Sequence, residues 1–185
     1  MQWKRVMAGG WFVGLWALLG ACASTHPYSF GREYAPLSVE EDYLERQAPL
    51  SYEEVRRDPA GHRADLLGWF GTVVEVKPGV VVTTVALDLR FHQPRHLCSD
   101  ESEESCRVTV SERDGGPFSV RLRLHPEDRA GRARLAPGSL IKVYGRVVDE
   151  FDDRGGPVLE AIYYRHFPTG TYVISSHTGQ MRMRR

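Results

Sequence analysis

From residue 65 onward the chain repeatedly alternates apolar and polar positions with the period of a β-strand. Val81, Thr83, Val85, Leu87, Leu89 and Phe91 share one parity, with Thr84, Asp88 and Arg90 between them. Such alternation sets one face of a strand against a core and the other toward water. Phe118, Val120, Leu122 and Leu124 alternate with Ser119, Arg121 and Arg123 in the same way. Residues 66–77 are apolar on both parities, through Trp69, Phe70, Val73, Val74 and Val76, which predicts a strand partly covered on both faces. Gly68 and Gly71 interrupt it and predict the bends or bulges that a barrel corner needs. A short strand over 107–111 and longer ones over 140–148 and 157–167 complete the set. Turn residues separate them: Pro78-Gly79, the run Arg113-Asp114-Gly115-Gly116-Pro117, Pro137-Gly138, and the polar loop 149–156.

Helical signals are few. Ser38-Val39-Glu40-Glu41 and Ser51-Tyr52-Glu53-Glu54 each fit a capping box, and Pro49 and Pro59 stop the helices that they start. Tyr43, Leu44, Tyr52 and Val55 are their expected buried positions, packed against one end of a barrel. His125-Pro126-Glu127-Asp128 predicts one helical turn with Pro126 at its first position. Three β segments, a short helical connection and two more strands is the element order of an OB-fold. The expected fold is therefore mainly β: a small OB-fold-like five-stranded barrel, with short N-terminal helices and a short helix before the fourth strand. A β-sandwich is the alternative.

The start of the chain has a different pattern. Lys4 and Arg5 precede residues 6–19, an uncharged and largely apolar run that closes on Leu19-Gly20-Ala21-Cys22. Positive start, short apolar centre and small residues at the end describe a secretory signal. The run falls short of the roughly 20 apolar residues that span a bilayer. Leu19 to Cys22 has the form of a lipobox, so residues 1–21 are expected to be removed and Cys22 to carry acyl chains that anchor the protein. Ala23, rather than Asp, leans the address toward the outer membrane. Residues 22–37 read as a lipidated tether with an average reach of roughly 20 Å, residues 38–168 as the barrel domain with its helices, and 169–185 as a mobile tail.

The charges balance, 24 basic against 24 acidic residues. That lacks the broad positive field of a nucleic-acid binder. With Cys22 assigned to lipid, Cys98 and Cys106 remain, and outside the cytoplasm the simplest expectation is a disulfide between them. His92 and His96 lie beside them, and imidazole with thiolate is also a zinc or copper set, although zinc sites commonly space cysteines by about two to four residues. Free thiols are the third possibility. The acidic run Asp100, Glu101, Glu103 and Glu104 has no spaced calcium-ligand pattern and reads as a solvated loop. No phosphate loop, nucleophile elbow or HExxH motif is present, so no catalytic residue or cofactor is expected. Tyr144, Tyr163 and Tyr164, with Tyr172, are the candidate ligand platform; core packing is the competing role for aromatic residues in strands.

Several stretches resemble a known family. Pro49-Leu50-Ser51-Tyr52-Glu53-Glu54-Val55, Asp58-Pro59 and Gly68-Trp69-Phe70-Gly71-Thr72-Val73-Val74 look like the opening of the starvation-inducible outer-membrane lipoprotein (Slp) family. Leu124-His125-Pro126, the run 137–145 ending Val143-Tyr144-Gly145, and Tyr163-Tyr164-Arg165-His166-Phe167-Pro168 look like its later strands. His125 stands where that pattern has Asp, and residues 92–106 form an insert foreign to it. The resemblance implies an envelope location and no catalytic residues. The expected function is a non-enzymatic outer-membrane or periplasmic lipoprotein with a binding or scaffolding role. Its expected partners are the membrane, through the N-terminal lipid, and an envelope protein or glycan. Binding of glycan or metal, and an envelope hydrolase, are the alternatives.

A Cys98–Cys106 disulfide would close a loop of about nine residues, worth roughly 2–3 kcal/mol on the chain-entropy model. Intact-mass analysis of the unreduced protein after alkylation should therefore find both thiols unmodified. Two alkyl groups added without reductant would rule the bond out.

Overall fold

The computed structural model describes residues 36–93, 107–149 and 151–175. Five strands, β1 (Leu67–Lys77), β2 (Thr83–His92), β3 (Val108–Leu122), β4 (Leu140–Asp149) and β5 (Val158–Phe167), close into a barrel. Around its circumference they run β1, β2, β3, β5, β4 and back to β1. All contacts are antiparallel except β3 against β5, which is parallel. This is the mainly β, OB-like barrel that the strand pattern predicts. A short β6 (Tyr172–Ser175) pairs in parallel with the first half of β3. It falls in what the sequence reads as tail, because four residues without alternation carry no periodic signal.

The interior follows the alternation. Leu67, Trp69 and Val73 of β1, Val85, Leu87 and Leu89 of β2, Phe118, Val120 and Leu122 of β3, and Ile141, Val143 and Val147 of β4 form one cluster. Trp69 is 7% exposed, and its ring packs edge-on to Phe118 at 5.5 Å. Val81 and Phe91 share the parity of the β2 inner face, yet both are exposed. Val81 precedes β2, and Phe91 lies at its far end, where the pairing with β3 is irregular.

The second parity of β1 has a separate explanation. Phe70, Leu140 and Phe167 point outward and form a smaller core with Val108 and Val110 of β3 and with Tyr172. The barrel wall is thus apolar on both sides here, as the apolar residues on both parities of β1 predict.

Three local expectations are corrected. The β1 register shifts between Val73 and Glu75, not at the glycines. Gly68 and Gly71 hold regular places opposite Tyr144 and Ile141. The turn expected at 113–117 is absent: β3 runs straight through it, because β2 keeps pairing with irregular register from Asp88 to His92, and Gly116 at φ 122° absorbs the distortion. The first helix, α1 (Ser38–Arg46), is capped from Leu37, one residue earlier than expected: Leu37 donates its N–H to Glu40 Oε2 at 2.8 Å. The second helix, α2 (Tyr52–Arg57), has the expected box, with Ser51 and Glu54 exchanging hydrogen bonds.

α2 packs inward through Tyr52 and Val55, and the Tyr52 hydroxyl donates to Pro117 O at 2.8 Å. α1 does not sit at a barrel end. It lies on the outer wall, where Tyr43 stacks on Tyr144 and Tyr163 at 5.5 and 5.4 Å. The predicted turn at Pro126 is a 3-10 turn (Pro126–Asp128) in the β3–β4 connection.

The two glycines of β1 differ in what opposes them. A Cβ on Gly71 would meet the Phe118 ring at 2.8 Å and Leu87 Cβ at 3.0 Å, inside the barrel; one on Gly68 would meet the amide end of Gln47, a movable side chain. Gly71→Ala is expected to cost about 1–3 kcal/mol by overpacking and Gly68→Ala clearly less. Urea unfolding of the two variants checks the order.

Candidate functional site

The outward residues of β2 and β3 floor an open groove of about 580 Å³. Glu75 and Lys77 from the end of β1, Thr84 and Ala86 from β2, and Ser119 and Arg121 from β3 line it. The β4–β5 connection supplies Phe151, Asp152, Asp153 and Arg154 as its wall. Strand alternation puts these groups together: Thr84 and Ala86 fall between the buried Thr83, Val85 and Leu87.

The wall is fastened in place. Arg154 reaches back over the barrel, pairing with Asp88 at 3.0 Å and donating to the carbonyls of Leu87 and Phe118. Asp152 turns its own loop by accepting from the N–H groups of Arg154 and Gly156 at 2.9 and 3.0 Å, and it accepts from the Ser119 hydroxyl. Phe151 is left half out in solvent beside charges of both signs. A groove of this kind suits a surface of mixed polarity better than a purely anionic or cationic ligand. The sequence takes 149–156 only as a polar loop; Phe151 standing alone within it was the available signal.

The tyrosine platform is not an open surface. Tyr144 is fully buried beneath α1, and its hydroxyl has no hydrogen-bond partner among the described residues. Burial, with the Glu40 carboxylate nearby, pushes its ionisation well above the usual phenol range. Tyr163 is half-buried at the edge of the same stack. Tyr164 points the other way, into the wall between β5 and the 3-10 turn. Its hydroxyl donates to Asp128 Oδ2 at 2.5 Å and accepts the His125 N–H at 2.9 Å. Asp128 Oδ1 lies 2.6 Å from His166 Nδ1, and both side chains are 6% exposed. The three groups tie the β3–β4 connection to β5 and are sealed from solvent. Tyr172, the fourth candidate, donates its hydroxyl to Gly138 O at 2.6 Å and packs in the outer core.

A second buried polar group lies under α1. Glu40 is completely buried and pairs with Arg165 at 3.0 Å. Lys142 is nearly buried, donates to Gly68 O at 3.1 Å, and rests over the rings of Phe70 and Tyr144 at 4.6 and 5.0 Å. Burial lowers the Lys142 pKa to about 8, partly offset by Glu40. A capping carboxylate is normally read as a solvent-exposed group, so nothing in the pattern around Glu40 shows that it enters the wall.

Cys22, Cys98 and Cys106, with His96 and the acidic run 100–104, lie outside the described residues. Among the described residues no cluster of His, Cys, Asp or Glu could hold a metal ion, and no helix is long and apolar enough to cross a membrane. Comparison with protein-family models, curated proteins and solved structures found no match for this chain.

The lowered Lys142 pKa has a pH consequence. Between about pH 8 and the ordinary lysine range, the unfolded chain holds a proton that the folded chain has released, so stability rises with pH there. Above about pH 10 the buried tyrosines, whose ionisation is raised, reverse the trend. Lys142→Met should remove the rise while leaving the alkaline fall, as read from melting temperature against pH.

Proposed function

We propose that this chain is a non-enzymatic envelope lipoprotein, anchored through Cys22, whose barrel binds another envelope component along the outer face of β2 and β3. The groove between the end of β1 and the β4–β5 connection carries this reading. In OB-folds this face and its flanking loops form the usual ligand platform. Here it offers a fixed wall, charges of both signs and the exposed ring of Phe151, which fit the mixed composition of a protein–protein interface. The anchor rests on the Leu19 to Cys22 motif, and the outer-membrane address on Ala23 and the Slp-like stretches. An extracytoplasmic address also supports the Cys98–Cys106 disulfide. The glycan alternative gains nothing from the groove, because Tyr144, Tyr163 and Tyr164 lie elsewhere.

Two measurements test the parts separately. Cys22→Ala should lose lipid labelling and leave the membrane fraction; unchanged membrane association sinks the anchor. A photo-crosslinking residue at Phe151 in intact cells should capture a discrete partner that the same residue at Arg56, on the exposed side of α2, does not. Identical products from both positions would count against the groove.

A further inference from the structure

The hairpin between β1 and β2 ends in Pro78-Gly79-Val80-Val81-Val82. Val80 is 104% exposed, Val81 67% and Val82 37%. Three consecutive apolar side chains exposed together at a tip mark a contact surface.

The β3–β4 connection that starts beside the tip is basic, while at the base of the hairpin Lys77 pairs with Glu75 at 3.3 Å. Thr83 pairs with Leu122, so the chain leaving β3 starts beside the hairpin. It rejoins the barrel at Val73, opposite Leu87 and four residues before the end of β1, where Gly138 donates to Val73 O at 2.9 Å and Val73 donates to Ser139 O at 2.8 Å. The intervening connection, residues 123–139, carries Arg123, Arg129, Arg132 and Arg134, all exposed. Its acidic residues are Glu127, which is exposed, and Asp128, which is buried and occupied by Tyr164 and His166. One end of the barrel thus combines a protruding apolar tip with a set of arginines.

We propose that this end docks on the surface of an anionic phospholipid bilayer. The valines enter the boundary between headgroups and acyl chains, and the arginines lie on the phosphates above them. A bilayer surface offers these two chemistries in that order with depth: apolar below, anionic above. Guanidinium groups bind phosphate oxygens in a bidentate manner, which suits the four arginines. Docking requires no anchor; a lipid on Cys22 would raise the concentration of the tip at the surface without changing the contact.

The test uses the full chain carrying Val81→Trp, with the parent chain as reference. Trp3, Trp11, Trp16 and Trp69 are present in variant and parent alike. The emission that the variant adds over the parent therefore reports on position 81. Vesicles of phosphatidylglycerol with brominated phosphatidylcholine should quench the added emission. Vesicles of phosphatidylcholine alone, half of it brominated, should not. Combining the reporter with Arg129→Glu, Arg132→Glu and Arg134→Glu should abolish the quenching. All four positions are exposed, and a melting curve matching the parent confirms folding; Val80→Trp serves as a second reporter. Added emission that stays unquenched in anionic vesicles overturns the proposal whether or not the chain is membrane-attached. Equal quenching in neutral vesicles overturns the role of the arginines.

Discussion

Closure of the barrel depends on one short pairing. β3 and β5 meet in parallel over only Ser119 to Arg121 against Val158 to Glu160. Parallel contact of this length is weak by itself, and neighbouring groups reinforce it. Pro157 O accepts the Ser119 N–H at 3.1 Å, and Gly156 lets the backbones approach where a Cβ would strike Pro117. Arg154 then binds the carbonyls of both β2 and β3 from outside. The residues that close the barrel are the ones that wall the groove. Fold and binding face are therefore a single piece of geometry, and a partner meets a surface that is already ordered.

The fold was legible where burial on one face produced alternation. β2 and the second half of β3 announced themselves through period-two patterns, β4 and β5 through apolar content between turn signals, and Ser51 with Glu54 announced α2. The failures share a cause. Gly115, Gly116 and Pro117 carry turn chemistry, but β2 is long enough to hold them in a strand, so pairing outweighed local preference. β6 is too short to show a period and exists because β3 offers it an edge. The double-sided burial of β1 was visible, yet the groups that cover its outside were not: they come from α1, from the start of β3 and from β6, which are distant in sequence.

The candidate site was the least legible part. Tyr144, Tyr163 and Tyr164 attracted attention as aromatic residues, and sequence could not tell that one lies under α1 while another anchors the 3-10 turn. The groove residues are ordinary charged and small side chains, brought together only by register. Glu40 shows the same limit in reverse, since a residue with a normal role at a helix start also supplies the buried partner of Arg165.

The position of α1 has a mechanical consequence. The chain enters the described structure at the first turn of this helix, where Glu40 is held by Arg165 and by the Leu37 N–H. The Tyr43 stack lies one turn further on, and β1 begins only at Leu67. Any pull on the upstream chain reaches the Glu40 pair first, the tyrosine stack second and the barrel last. α1 thus acts as a strain relief: it must peel from the wall before tension is felt by the strands that shape the groove.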